Sequence, residues 1–340
     1  MSNSPAPETN LAPPERLTQT DLDRELVEGD FPPPRQRRIV LPVVLLLATC
    51  VSAWFAGATR WNVTTAWEQC KSYESGMSSR VEHSGYLPLR RMLLRADWQT
   101  GVSYAACVIG ILFAHEMGHF VFNQYYRVPG SLPYFLPFPL SPAGTMGAVI
   151  VMQANRANRR ELFDIGLAGP LAGLVVCVPV LWLGVRALDF TQGEPLGIAV
   201  DLPLALRWTL TWVQTPGYVP GEPISLSQTN PYFVAGWFGL WMTGFNMMPV
   251  SQLDGGHVIF ALFGRNARYI ARLFFFGAIA WSLYTGYPAY FLMFLLIYLI
   301  GIDHPPTADD NASIGPVRTA VGYLSLLIPV LCFAPRVIVM

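Results

Sequence analysis

The chain has 340 residues, 52 % of them hydrophobic and only 13 % charged, about half the charged share of an average soluble domain. Its 22 basic and 22 acidic residues cancel, and no basic patch marks a nucleic-acid partner. This composition excludes an ordinary soluble enzyme and predicts an all-α polytopic membrane protein.

Residues 1–38 are polar and Pro-rich, with Pro32, Pro33 and Pro34 at their end and an acidic patch from Asp21 to Asp30. They read as a disordered cytoplasmic tail with at most one short helix near 21–28. The first apolar run begins only at Ile39, so the first helix is expected to stay as an anchor and not to be removed as a signal peptide. Cys50, Cys107, Cys177 and Cys332 lie in apolar runs and Cys70 in a polar stretch, which gives no disulfide framework.

Apolar runs long enough to cross a bilayer, about 18 residues or more, fall near 39–59, 99–126, 165–185, 232–263 and 319–335. The stretch 273–302 is too long for one straight span and tight for two, with Gly286-Tyr287-Pro288 as the natural turn between 273–287 and 288–302. Six to seven transmembrane helices are therefore expected. Arg35, Arg37 and Arg38 before the first helix place the N-terminus in the cytoplasm, and alternation puts Arg156, Arg159, Arg160, Arg265, Arg268 and Arg272 there too. Arg90, Arg91 and Arg95 run against this rule. The loops 60–98 and 186–231 are shorter than most independent domains, so a single membrane domain is expected over 39–335, with its core at 99–268.

Between 127 and 153 the character changes. Pro129, Pro133, Pro137, Pro139 and Pro142 exclude a continuous helix, and 144–152 reads as a β-strand. Apolar, non-helical backbone beside a membrane must be shielded by protein or line a cavity. A small β-hairpin or re-entrant segment capping the cytoplasmic end of the bundle is expected here.

His115-Glu116-Met117-Gly118-His119 lies inside the second apolar run. An apolar span does not carry two His and a Glu without a purpose. Residues four apart share a helix face, so His115 and His119 can hold one Zn²⁺ through two imidazoles. Glu116, offset by about 100° of helix rotation, can reach a water activated by the metal and move its proton. A catalytic zinc takes a third protein ligand and keeps a position open. Asp254, the only carboxylate in the fourth apolar run, is the candidate for that ligand, with Pro249 and Gly255-Gly256 loosening the helix around it; a helix cap at a kink is the alternative reading. His257 could be a fourth ligand or a partner of one, with a peripheral role favoured. His119 lies about 10 Å of helix before Tyr126, and Asp254 about 13 Å before Phe263, so the two motifs fall at similar depth near the cytoplasmic face.

The HEMGH motif in one apolar run, Leu253-Asp254-Gly255-Gly256 in another, and Ala168-Gly169-Pro170-Leu171-Ala172-Gly173 between them resemble the site-2 protease family of intramembrane zinc metalloproteases. The resemblance covers roughly 104–268. It implies His115, His119 and Asp254 as zinc ligands, Glu116 as general acid/base, and cleavage of transmembrane protein or peptide substrates within the bilayer. It also implies a substrate-binding role for Asn246, on the substrate carbonyl or the oxyanion. Gly169 and Gly173, like Gly110, Ala114 and Gly118, form small faces that let helices approach closely. Segment 144–152 is a candidate edge for pairing with an extended substrate. Asn123, Gln124, Thr243, Asn246, Ser251 and Gln252 are candidates for a water-lined route to the metal. The competing reading is a non-catalytic membrane protein of the same fold that binds metal or client helices, against which an intact Glu116 speaks.

Overall fold

The computed structural model of the chain describes residues 39–61, 96–191, 198–287, 290–334 and 336–339. The tail 1–38 and most of the loop 60–98 lie outside the described residues. Helix α1 (Val40–Ala58) packs antiparallel against the 28-residue α2 (Trp98–Tyr125). A Cβ on Gly101 would lie 2.7 Å from the Trp54 carbonyl oxygen, so the backbones touch. Asp97 caps α2 by accepting from the Thr100 N–H at 3.1 Å, and Arg60 at the end of α1 pairs with it at 2.7 Å.

Strands β1 (Tyr134–Pro137) and β2 (Thr145–Val149) pair antiparallel, with Tyr134 opposite Val149 and a register shift before Pro137. Proline lacks the N–H that a ladder needs, which suits it to such an irregularity. The strand expected over 144–152 is thus shorter, with only a bridge between Gly130 and Met152 beyond it. The pair does not stop at the Tyr125 end of α2, as a cap on the end of the bundle would. Ser52 Oγ donates to the Gly144 carbonyl at 2.5 Å and Tyr104 OH to that of Ala143 at 3.0 Å, while Gly130 lies against Asn123. From Asn123 to Tyr104 is about 28 Å of helix, so the strands run alongside α2 for most of its length.

Helix α3 (Arg159–Arg186) starts at a capping box in which Asn158 accepts from the Glu161 N–H and Glu161 from the Asn158 N–H, both at 3.0 Å. It packs antiparallel on α2: a Cβ on Gly118 would come within 2.4 Å of the Ala168 carbonyl oxygen. Gly110, by contrast, faces open space and takes no part in that contact. Short strands β3 (Ala199–Val200) and β4 (Ile224–Ser225) flank α4 (Leu204–Val213).

The fourth apolar run is not one continuous helix. It divides into α5 (Pro231–Asn246) and α6 (Asp254–Phe263), joined by an apolar turn. Ser251 sits at φ +55°, and Cβ atoms on Gly255 and Gly256 would meet the carbonyl oxygens of Met247 and Ser251 at 2.0 and 2.2 Å. Only glycine allows the turn to fold this tightly over the start of α6. Both halves still run antiparallel to α3, since Gly236 meets Leu181 while Arg159 Nε donates to the Ala261 carbonyl at 2.6 Å. Helices α7 (Ala267–Thr285) and α8 (Phe291–Ile300) follow, the first closing at Gly286 with φ +65°. Then come α9 (Gly315–Ser325), α10 (Leu327–Cys332) and β5 (Ile338–Val339), which completes a sheet of order β4-β3-β5.

Among the described residues four helical stretches are long and apolar enough to cross a membrane: Val40–Ala58, Trp98–Tyr125, Arg159–Arg186 and Gly315–Cys332. The remaining apolar runs form shorter or more polar helices. The main core joins α2, α3 and α5 through Val108, Ile111, Leu181, Phe233 and Phe238. Outward-facing Val43, Val44 and Leu47 on α1 and Val175 and Val178 on α3 are exposed, as lipid-facing surfaces are.

Candidate metal centre

His115 and Glu116 are buried in the middle of α2, at 5 % and 4 % exposure. His119 follows one turn later, and its Nε2 lies 3.3 Å from that of His115. Asp254 opens α6, where the unpaired N–H groups of a first turn favour a carboxylate. Its Oδ1 is 3.3 Å from His119 Nε2 and its Oδ2 3.2 Å from His115 Nε2. The α5–α6 break is what allows this approach, because it frees Asp254 from a continuous helix.

These spacings test the site for a metal. Ligands about 2.0–2.1 Å from a tetrahedral zinc stand about 3.3 Å from one another. The two imidazole nitrogens have that separation, and each lies as far from one oxygen of the Asp254 carboxylate. Ring nitrogens that meet at this distance gain nothing from each other unless a proton or cation lies between them. Asp254 Oδ2, buried and close to His115, is nevertheless misaligned for a hydrogen bond and has no donor among the described residues. Two imidazoles and one carboxylate thus converge as a cation-binding set. His119 Nδ1 donates to the Ile165 carbonyl at 2.8 Å, which leaves the Nε2 lone pair aimed at the centre.

Asn246, the last residue of α5, brings its Nδ2 to 3.3 Å from His115 Nε2. Glu116 and the three converging residues line a cavity of about 170 Å³, and Ala148, Val149 and Ile150 also line it. Of the six polar residues considered for a water route, Asn123, Asn246 and Gln252 reach this cavity. Gln124, Thr243 and Ser251 do not line it; Thr243 bonds the Gly239 carbonyl and Ser251 that of Gly301.

Sequence reasoning missed two features. Gly169 does more than ease helix contact: a Cβ there would lie 2.1 Å from His119 Nε2, so the glycine makes the space the ring occupies. His257, on the cavity wall, pairs with His304 through Nδ1 and Nε2 at 2.7 Å. His304 Nδ1 donates to the Pro305 carbonyl at 2.5 Å, so its Nε2 accepts and His257 Nδ1 donates. No local pattern links residues 47 positions apart.

The chain is 33 % identical over 239 residues to the probable zinc metalloprotease EGY1, chloroplastic, of Arabidopsis thaliana, an alignment covering 67 % of this chain and 42 % of that protein. It is 31 % identical over 258 residues to the protein of the same name from Oryza sativa subsp. japonica, covering 73 % and 43 %. The probable zinc metalloprotease EGY2, chloroplastic, of Arabidopsis thaliana is 28 % identical over 177 residues, covering 51 % and 30 %. The chain thus spans less than half the length of these relatives. No solved structure gives a significant match. Residues 103–280, with the histidine motif and Asp254 inside them, match the profile of peptidase family M50. With just over half its length in that match and relatives named as zinc metalloproteases, the chain belongs to peptidase family M50, the site-2 protease family.

Proposed function

We propose that this protein is a zinc-dependent endopeptidase that hydrolyses peptide bonds within or near the transmembrane segments of membrane protein substrates. The observation that carries this reading is the convergence of His115, His119 and Asp254 as a cation-binding set between apolar helices. In this reading His115 Nε2, His119 Nε2 and the Asp254 carboxylate hold Zn²⁺. Bound zinc supplies Lewis-acid activation of water and of the scissile carbonyl.

Glu116 takes the proton of the attacking water on its carboxylate and then delivers it to the leaving amine. Burial at 4 % exposure suits the task, since no bulk water competes for that proton. Asn246, whose Nδ2 lies 3.3 Å from His115 Nε2, would donate to the substrate carbonyl. A peptide bond inside a helix is shielded by the helix's own hydrogen bonds, so the substrate must first be extended. The cavity wall at Ala148–Ile150 offers a strand edge whose backbone can replace the bonds lost. The β1–β2 pair would then act as a re-entrant element within a bundle of six to seven spans. The N-terminus would be cytoplasmic and the site nearer that face.

The test uses the purified full chain with a model transmembrane substrate. Glu116→Gln should lower cleavage by about 10²- to 10⁴-fold while zinc content stays unchanged. A chelator should abolish activity, and added zinc should restore it. Cleavage that survives both treatments overturns the reading.

A further inference from the structure

Asn123 is one turn beyond His119 on the same face of α2 and only 1 % exposed. It lines the cavity that holds Glu116, yet neither its Oδ1 nor its Nδ2 has a hydrogen-bond partner among the described residues. A buried amide unpaired at both ends is rare in a native fold, and beside an open cavity it calls for a partner that enters from there. The setting is built around this side chain. Gly130 approaches so closely that a Cβ there would lie 3.1 Å from Asn123 Nδ2, and Gly130 is itself bridged to Met152 at the base of the strand pair. Ala148, Ile150 and Met152 line the same cavity.

From these observations we infer that Asn123 binds the main chain of the extended substrate segment through both ends of its amide. In an extended peptide the N–H and C=O of one residue point to the same side. A carboxamide matches that pair, with Oδ1 accepting and Nδ2 donating. One helical turn separates Asn123 from His119, about 5.4 Å, and an extended chain advances about 3.3 Å per residue. The residue it grips therefore lies about two positions from the bond presented at the metal ligands. Main-chain recognition reads no side chain. It selects for a segment that can unwind, so it sets affinity for extended backbone without restricting sequence. The inference rests on the protease reading and adds a substrate contact to it.

The experiment compares wild type with Asn123→Leu, which removes both polar atoms and keeps the volume close. KM for a model transmembrane peptide should rise about 10-fold with kcat much less changed, and zinc content should stay equal. In a Glu116→Gln background, the Kd of the same peptide should rise by the same factor. Peptides carrying a single backbone ester in place of an amide locate the contact. One ester, about two residues from the cut, should weaken wild type about 10-fold and leave Asn123→Leu indifferent. Asn123→Ala repeats the comparison should the leucine overpack the cavity. Equal affinities in wild type and variant, ester penalties alike in both at every position, or loss of zinc from the variant would each overturn the inference. A wild type that binds the peptide without cutting it overturns the protease reading instead, and the two binding arms still decide this one.

Discussion

Between Gly169 and His119 there is no room for a methyl group, and this makes the glycine a test of the metal site. Gly169→Ala places a carbon where the His119 ring must stand, so the ring has to turn away from Asp254. Zinc affinity should fall by about 10- to 100-fold, as when the partners that orient metal ligands are lost. Gly110→Ala, in the motif helix itself but with nothing within 4 Å of its Cβ, should keep full affinity. Competition titration with a zinc indicator separates the two. If Gly169→Ala binds zinc as tightly as Gly110→Ala, the packing account of the site is wrong. The small-residue pattern did disclose that helices meet near Gly169 and Gly173. It could not disclose that one position cradles a ring, because the side chain opposite a glycine is set by helix rotation, which spacing along a single helix leaves free. The converse holds for Gly110, where the same spacing suggested a contact that α2 never makes.

Among the elements, α6 is short and carries Asp254 at one end, so its other end matters. Arg159 closes it by donating to the Ala261 and Leu262 carbonyls at 2.6 and 3.1 Å. Arg159→Met keeps the side-chain stem but loses two charge-assisted bonds, and thermal unfolding in detergent should show a loss of about 1–3 kcal/mol. An unchanged midpoint would mean that α6 is held by packing alone. The strand pair gives a second test. Ile150 lies just beyond β2 on the cavity wall, and Ile150→Pro removes one N–H from the segment proposed to receive substrate. Cleavage should fall about 10-fold or more with helical circular dichroism unchanged, and full activity would remove the strand from substrate handling. Here the sequence was only partly readable. Proline spacing and a β-branched run exposed the non-helical segment, but its reach along α2 depends on Ser52 and Tyr104 holding the turn, contacts distant in sequence. The break between α5 and α6 escaped the hydropathy reading for a different reason. Met247, Met248, Val250 and Leu253 are as apolar as the helices around them, so only Pro249 and the paired glycines signalled a change of backbone.

At the scale of the whole molecule, the stretch between α8 and α9 ties distant parts together, although its composition is that of an ordinary polar connection. Ser251 donates to the Ile302 and Gly301 carbonyls, Arg272 pairs with Asp303, and Ala308 donates to the Ala157 carbonyl just before α3. Arg160 reaches the Ser313 carbonyl, and just past the stretch Arg318 of α9 grips Asp164 on two oxygens while Tyr126 donates to the same carboxylate. None of these ties has a local signal, because each joins groups whose proximity follows from the fold. His304 lies in this stretch, stacked on Phe260 and bonded to His257. Burial lowers its pKa from 6.5 to about 4, against smaller upward pulls from its bond to Pro305 and from Asp310. The neutral imidazole is therefore the folded form. Below pH 6.5 the unfolded chain takes up a proton that the folded chain refuses, so stability falls as the pH drops from 6.5 to about 4 and levels off beneath that. The loss is at most about 3 kcal/mol. Acid also strips zinc from histidine ligands, so the informative quantity is a difference between two proteins measured side by side. His304→Asn keeps a hydrogen-bonding side chain without that titration. Its unfolding midpoint should be lower than wild type at pH 7.5 and approach or pass it by pH 4.5. Parallel curves across that range would show that His304 carries no pH-dependent share of the stability.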